Sequence, residues 1–162
     1  MKKNLTRSLE TYLLAIDTLI NEKGSIIVKD VAEFLNYGGA STADAVKKLK
    51  EKGYVNYEPY QNITLTSLGK DTVFLKKYRH KTITDFFNSV LDIDFKKAEE
   101  NAEAIEYSID NDVLARLVNF MDFMKQCACP EPKWIKSCKA SLKNGKISEK
   151  CKGCTGGCCC SK

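Results

Sequence analysis

Eight cysteines stand in the last 36 residues of the chain, at Cys127, Cys129, Cys138, Cys151, Cys154, Cys158, Cys159 and Cys160, and none precedes them. Thiolates packed this densely hold zinc, hold an iron–sulfur cluster or pair as disulfides, according to compartment. Arg7, Glu10 and Asp17 interrupt what would have to be the apolar part of a secretory signal. No stretch nears the roughly 20 apolar residues of a membrane span. The expected location is therefore cytoplasmic, where reduced thiols favour metal ligation over disulfides. The best four-ligand set is Cys129, Cys138, Cys151 and Cys154. Cys151 and Cys154 form a Cys-x-x-Cys half-site of the zinc type, and Cys129-Pro130 is a step common near iron–sulfur clusters. A two-knuckle zinc ribbon is absent, so zinc and a 4Fe–4S cluster both stay open. Cys127 and the terminal Cys158-Cys159-Cys160 are spare ligands or a second soft-metal site.

Charge divides at the same place. From Lys125 onward nine lysines face only Glu131 and Glu149, a net of +7. The whole chain carries +5, so residues 1–124 carry about −2. Lysines near the thiols make them easier to deprotonate. With 162 residues, 43 % hydrophobic and 29 % charged, the chain suits one folded body with an appendage and excludes wholesale disorder. Only Trp134, Ile135 and Leu142 offer the tail a core. The expected division is residues 1–70, 71–124 and 125–162.

The body must position whatever the tail captures. Leu5, Leu9, Tyr12, Leu13, Ile16, Leu19 and Ile20 recur at helical steps, and Gly24 follows as a stop. A second helix places Val31, Phe34 and Leu35 inward. Tyr37-Gly38-Gly39 reads as a tight turn, and a third helix over 40–52 buries Thr42, Ala45, Val46 and Leu49. Runs 54–57 and 63–66 are β-rich, with Glu58-Pro59-Tyr60-Gln61-Asn62 as a hairpin loop. That order is a winged helix-turn-helix, whose third helix enters the major groove. Its outward face carries Ala40, Ser41, Asp44, Lys47, Lys48 and Glu51. Ser41 would bond a base edge or phosphate, and the lysines would neutralise phosphates. Asp44 weakens non-specific attraction. Helices follow from Leu68 to about Leu91, over 95–108, and over 110–124, the last burying Val113, Leu114, Leu117, Val118, Phe120 and Met121. Such apolar helices call for a dimer interface, and a two-fold dimer matches a palindromic operator. The fold class is mainly α: a winged helix-turn-helix, a helical dimerisation domain and an irregular Cys-rich tail.

Several strings, spread over 5–124, resemble the metal-dependent repressors typified by the diphtheria toxin repressor and the manganese transport regulator. They are Leu9-Glu10-Thr11-Tyr12-Leu13, Val31-Ala32-Glu33-Phe34-Leu35, the segment 41–49, Leu65-Thr66-Ser67-Leu68-Gly69-Lys70, Tyr78-Arg79-His80 and Glu103-Ala104-Ile105-Glu106. The resemblance implies a homodimer on double-stranded DNA, with iron or manganese bound between the DNA-binding and dimerisation domains. It places ligands at His80, Glu103 and Glu106, with Glu99 as an accessory. The same resemblance puts ligand positions on Thr11, Leu14 and Tyr107, where this chain has lost them. Glu99, Glu103 and Glu106 share one helix face, because steps of four and three nearly complete whole turns. The usual sensor is eroded, and the uneven cysteine spacing resembles cluster-binding tails on some repressors of this family. The expectation is a regulator whose effector sits mainly on the tail, as a 4Fe–4S cluster or zinc. An enzyme is not expected: the chain has one histidine, no phosphate-cradling glycine loop and no nucleophile–base spacing, so no small-molecule substrate is implied. The rival reading is a metal-storage or delivery protein with a dimerising body.

Overall fold

The computed structural model describes residues 5–59, 61–126 and 133–145. The chain divides between Lys76 and Lys77 into two compact units.

In the first unit α1 (Arg7–Lys23) begins where the Thr6 hydroxyl accepts the Leu9 N–H. It ends where Gly24 takes a positive φ of 77°, a conformation open to glycine. Its apolar stripe is buried as the spacing predicts, through Leu9, Tyr12, Leu13, Ile16 and Leu19. At the start of α2 (Val28–Leu35) the Asp30 carboxylate accepts the Ile27 N–H at 2.8 Å and pairs with Lys23 at 3.2 Å. Those groups, the backbone N–H first, hold Asp30 below the usual carboxylate range. α2 is only two turns long and buries just Val31 and Ala32. Phe34, expected inward, is half exposed, and Leu35 is partly buried. α3 (Gly39–Glu51) follows after a left-handed Asn36.

The β-rich runs shrink to β1 (Val55–Asn56) and β2 (Thr64–Leu65), paired antiparallel with Val55 opposite Leu65. Ile63 donates its N–H to the Ile26 carbonyl, which ties the wing to the α1–α2 link. The Thr66 hydroxyl donates to the Gly53 and Tyr54 carbonyls and accepts the Gly69 N–H, so one side chain closes the wing and opens α4 (Ser67–Asp85). α4 then returns Lys76 to Glu10 of α1 at 2.9 Å.

In the second unit α4 runs into a π-helical turn at Phe86–Val90, and a left-handed Asp92 reverses the chain. Asp94 caps α5 (Phe95–Ile105), accepting the N–H groups of Lys96 and Lys97. α5 stops three residues short of the expected end, because Ser108 and Ile109 both donate to the Ile105 carbonyl as a turn. α6 (Asn111–Gln126) runs two residues past it. The core gathers Ile83, Ala102 and Leu114, flanked by Phe87, Ile109 and Leu117. Leu114 and Met121 are buried as expected and Val118 partly so, but Val113 is exposed. The tail, expected to be irregular, contains a helix, α7 (Lys133–Asn144). Ile135 is buried there, whereas Leu142 is exposed.

Candidate nucleic-acid interface and metal centres

The Gly38 carbonyl anchors α3, accepting the Thr42 N–H, the Thr42 hydroxyl at 3.0 Å and the Ser41 hydroxyl at 2.7 Å. Thr42 is wholly buried with Val46 and Leu49 beneath the helix, so its rotation is fixed. The opposite face presents Ala40, Ser41, Asp44, Lys47, Lys48 and Glu51, every one exposed. The Ser41 proton is spent inside the turn, which leaves its oxygen to accept. Lys50 reaches Glu58 of the wing loop at 2.7 Å and fixes the wing against the end of α3. The sequence identifies the wing but does not single out its polar side chains. Asn56, Gln61, Asn62 and Thr64 are exposed there around a hollow of about 470 Å³, and Asn56 donates to Thr64 across the strands at 3.1 Å. Uncharged amides in a hairpin read as turn formers; their clustering beside α3 was the available signal that this surface is a candidate for contact.

His80 and Glu106 meet in the second unit, with Nδ1 and Oε2 3.4 Å apart and the Glu106 side chain only 5 % exposed. Neighbouring bonds from Tyr78 to Asp122 and from Arg79 to Asn111 tie this part of α4 to α6. Burial and then the Asp122 charge push the Tyr78 phenol above its usual value. Glu99 and Glu103 lie on the exposed side of α5. In the first unit Thr11 donates its hydroxyl to the Arg7 carbonyl, and Leu14 packs against the apolar core. Among the described residues no three His, Cys, Asp or Glu side chains converge as a metal site. Hard divalent ions take about six ligands. Here one imidazole and one carboxylate meet, so water or further donors would have to complete the shell of such an ion.

Of the tail cysteines, Cys138 lies on α7 and is partly buried. Cys129, Cys151 and Cys154 of the proposed set, with Cys127 and Cys158-Cys159-Cys160, fall outside the described residues. Lys143 of α7 donates to Asp92, and that hydrogen bond holds the Asp92 carboxyl below its usual range.

A helix-turn-helix with a two-stranded wing, followed by a separate helical unit, is the architecture of a DNA-binding transcriptional regulator. Residues 4–63 match the iron dependent repressor N-terminal DNA binding domain, and residues 66–135 match the iron dependent repressor metal binding and dimerisation domain. An uncharacterised HTH-type transcriptional regulator of Methanocaldococcus jannaschii is 37 % identical over 122 residues, covering 75 % of this chain and 98 % of that protein. The chain thus belongs to the iron-dependent repressor family of metal-dependent transcriptional regulators. Among solved structures, T. acidophilum IdeR is similar in fold with a TM-score of 0.58 at 21 % identity, over 80 % of this chain and 59 % of that one. The manganese regulator SloR gives a TM-score of 0.59 at 25 % identity, over 79 % and 59 %. Among the described residues no helix is long and apolar enough to cross a membrane.

Proposed function

We propose that the protein is a homodimeric transcriptional regulator of the cytoplasm that grips a palindromic operator and takes its effector mainly on the C-terminal cysteines. The observation that carries the DNA half is the exposed row on α3, held at a fixed rotation by Thr42 and Gly38. Lys47 and Lys48 meet phosphates, the Ser41 oxygen accepts from a base or a bridging water, and Asp44 accepts from a cytosine amino group. Asp44 also disfavours wrong registers by repelling phosphate. Residues 1–70 serve as the DNA-binding part, 71–124 as the dimerisation part and 125–162 as the effector tail.

The dimer face is the apolar groove of about 480 Å³ in the second unit, lined in part by Ile83, Phe86, Val113, Leu117 and Phe120. An isologous contact there gives the two-fold axis that an inverted repeat requires.

For the effector, Cys129, Cys138, Cys151 and Cys154 supply four thiolates, a set suited to a 4Fe–4S cluster or to zinc. His80, Glu99, Glu103 and Glu106 are the remnant of a centre for iron, after which the family is named, or for manganese, the metal of the regulator SloR. Two measurements test this reading. Selection from random duplexes is expected to return an inverted repeat that α3 substitutions abolish; recovery of no preferred sequence overturns operator reading. Metal and sulfide analysis of oxygen-free protein is expected to give about four irons per chain, lost in Cys151→Ser. A colourless protein with stoichiometric zinc removes the cluster and keeps the thiolate site. No bound metal at all removes the tail effector.

A further inference from the structure

The family match ends at residue 135, whereas α7 continues to Asn144, so most of this helix lies beyond the family's domain. Lys139 and Lys143 are four residues apart on α7 and share one face. Lys143 donates to Asp92, yet its side chain stays 67 % exposed. After that hydrogen bond, the charges of Lys143 and Lys139 also favour the ionised Asp92. With the ammonium side largely in solvent and Asp92 partly exposed, the pair is modest and salt-screened, so a polyanion can compete for Lys143. The wider charge distribution points the same way. Residues 1–124 carry about −2, an unhelpful sign for approaching DNA, while the segment from Lys125 carries +7.

We propose that Lys139 and Lys143 of α7 form a second contact to DNA backbone phosphates, with Asp92 standing in for the phosphate when DNA is absent. This rests on the DNA-binding reading of the first unit. The contact is independent of sequence: it adds affinity and salt dependence and leaves operator choice to α3. Asp92 restrains it, because Lys143 must exchange that carboxylate for a phosphate. The lysines thus hold in reserve a charge that the body lacks.

The test is equilibrium binding of the full-length protein to its selected operator and to an unrelated duplex across salt concentrations. Lys139→Gln/Lys143→Gln is expected to lower the slope of log affinity against log salt by about 1.8 per chain, at roughly 0.9 per lost phosphate contact, on both duplexes. Lys139→Arg/Lys143→Arg is expected to restore it. Asp92→Asn keeps the lysines and removes their internal partner, so affinity is expected to rise about two- to fivefold. An unchanged slope in the glutamine variant overturns the proposal. So does an Asp92→Asn variant that weakens binding as much as the glutamine variant, since the position of α7 would then matter and its charge would not. Lysine-dependent capture by phosphatidylserine vesicles with an unchanged DNA slope overturns it in favour of a lipid surface. If the wild-type chain binds neither duplex, the DNA-binding reading itself fails; if it binds both with the slope unmoved, only the α7 contact fails.

Discussion

Gly69 is the position where a single methyl group should do most harm. A Cβ built there would lie 2.1 Å from the Tyr54 carbonyl oxygen, 3.1 Å from its carbon and 3.3 Å from Leu65 Cδ2. Ordinary contact needs the carbonyl to retreat by about 1 Å. That carbonyl accepts the Thr66 N–H and the Thr66 hydroxyl, each at 3.1 Å, so retreat also stretches the bonds that join the wing to α4. Overpacking costs about 1–3 kcal/mol, and two weakened hydrogen bonds add about 0.5–1.5 kcal/mol each. Alanine's better helix propensity offsets about 1 kcal/mol. The net expectation for Gly69→Ala is a loss of about 3 kcal/mol, or a fall in Tm of about 12–24 °C for a unit of this size. Urea unfolding measures it, with Gly39→Ala as the control. Gly39 has nothing within 4 Å of its would-be Cβ, so that change should be neutral or slightly stabilising. A Gly69→Ala protein as stable as wild type would refute the close approach of α4 to the wing.

Asp30→Ala should cost about 1 kcal/mol at neutral pH, since it strips the Ile27 N–H of its partner. The folded carboxyl sits below its unfolded value near 3.8. Its contribution is therefore present above that value and disappears as pH falls through the lowered folded value, so wild type and variant should converge in acid. A gap that widens on acidification contradicts the assignment. On DNA, Lys47→Ala and Lys48→Ala should each reduce the salt slope by about 0.9, whereas Asp44→Asn should raise affinity for unrelated duplex; filter binding or fluorescence anisotropy reads both. If the groove beside Phe120 is the dimer face, Phe120→Glu should yield monomers in sedimentation, and the wild-type Tm should climb with protein concentration. A Tm constant over a hundredfold range would exclude an obligate dimer.

The first unit was legible because its core obeys one period at a time. Six residues of α1 at helical steps include Leu9, Tyr12, Leu13, Ile16 and Leu19, all buried. The α3 stripe was equally plain, since Thr42, Ala45, Val46 and Leu49 are separated by residues that tolerate water. Phe34 and Val113 were misread for a shared reason. Periodicity marks which side of a helix is apolar and is silent on what covers that side. α2 is too short to bury more than Val31 and Ala32, so Phe34 stays half exposed. Val113 lines a groove, with the same spacing a core residue would have. α7 was missed from the opposite error. Trp134, Ile135, Cys138 and Leu142 recur at helical steps, but counting Cys138 only as a ligand hid that pattern; free cysteine also packs as a small apolar side chain.

The candidate site divides along a similar line. The α3 row needed one helix and one period, both local, so its residues could be named from the sequence. A metal centre instead needs donors from distant segments to converge, and composition cannot report whether they do. His80 and Glu106 are 26 positions apart and approach to 3.4 Å, while Glu103, three residues from Glu106, lies on the exposed side of α5. The ending of α5 at Ile105 contributes to this. Glu106 is the C-cap, where the helix gives way to a turn, so the even stripe expected of Glu99, Glu103 and Glu106 does not extend as a regular helix beyond it. Asp92 and Lys143 carry the same lesson with opposite sign. A left-handed corner and a helix 51 positions later form an ion pair that no motif announces. That no three metal-donor side chains converge among the described residues, and that a positively charged, thiol-rich segment follows residue 124, are thus two separate observations. They form one sensor only if removing tail thiols changes the operator affinity of the intact chain. Cys151→Ser provides that link, since it leaves every residue of α3 and every lysine of α7 in place.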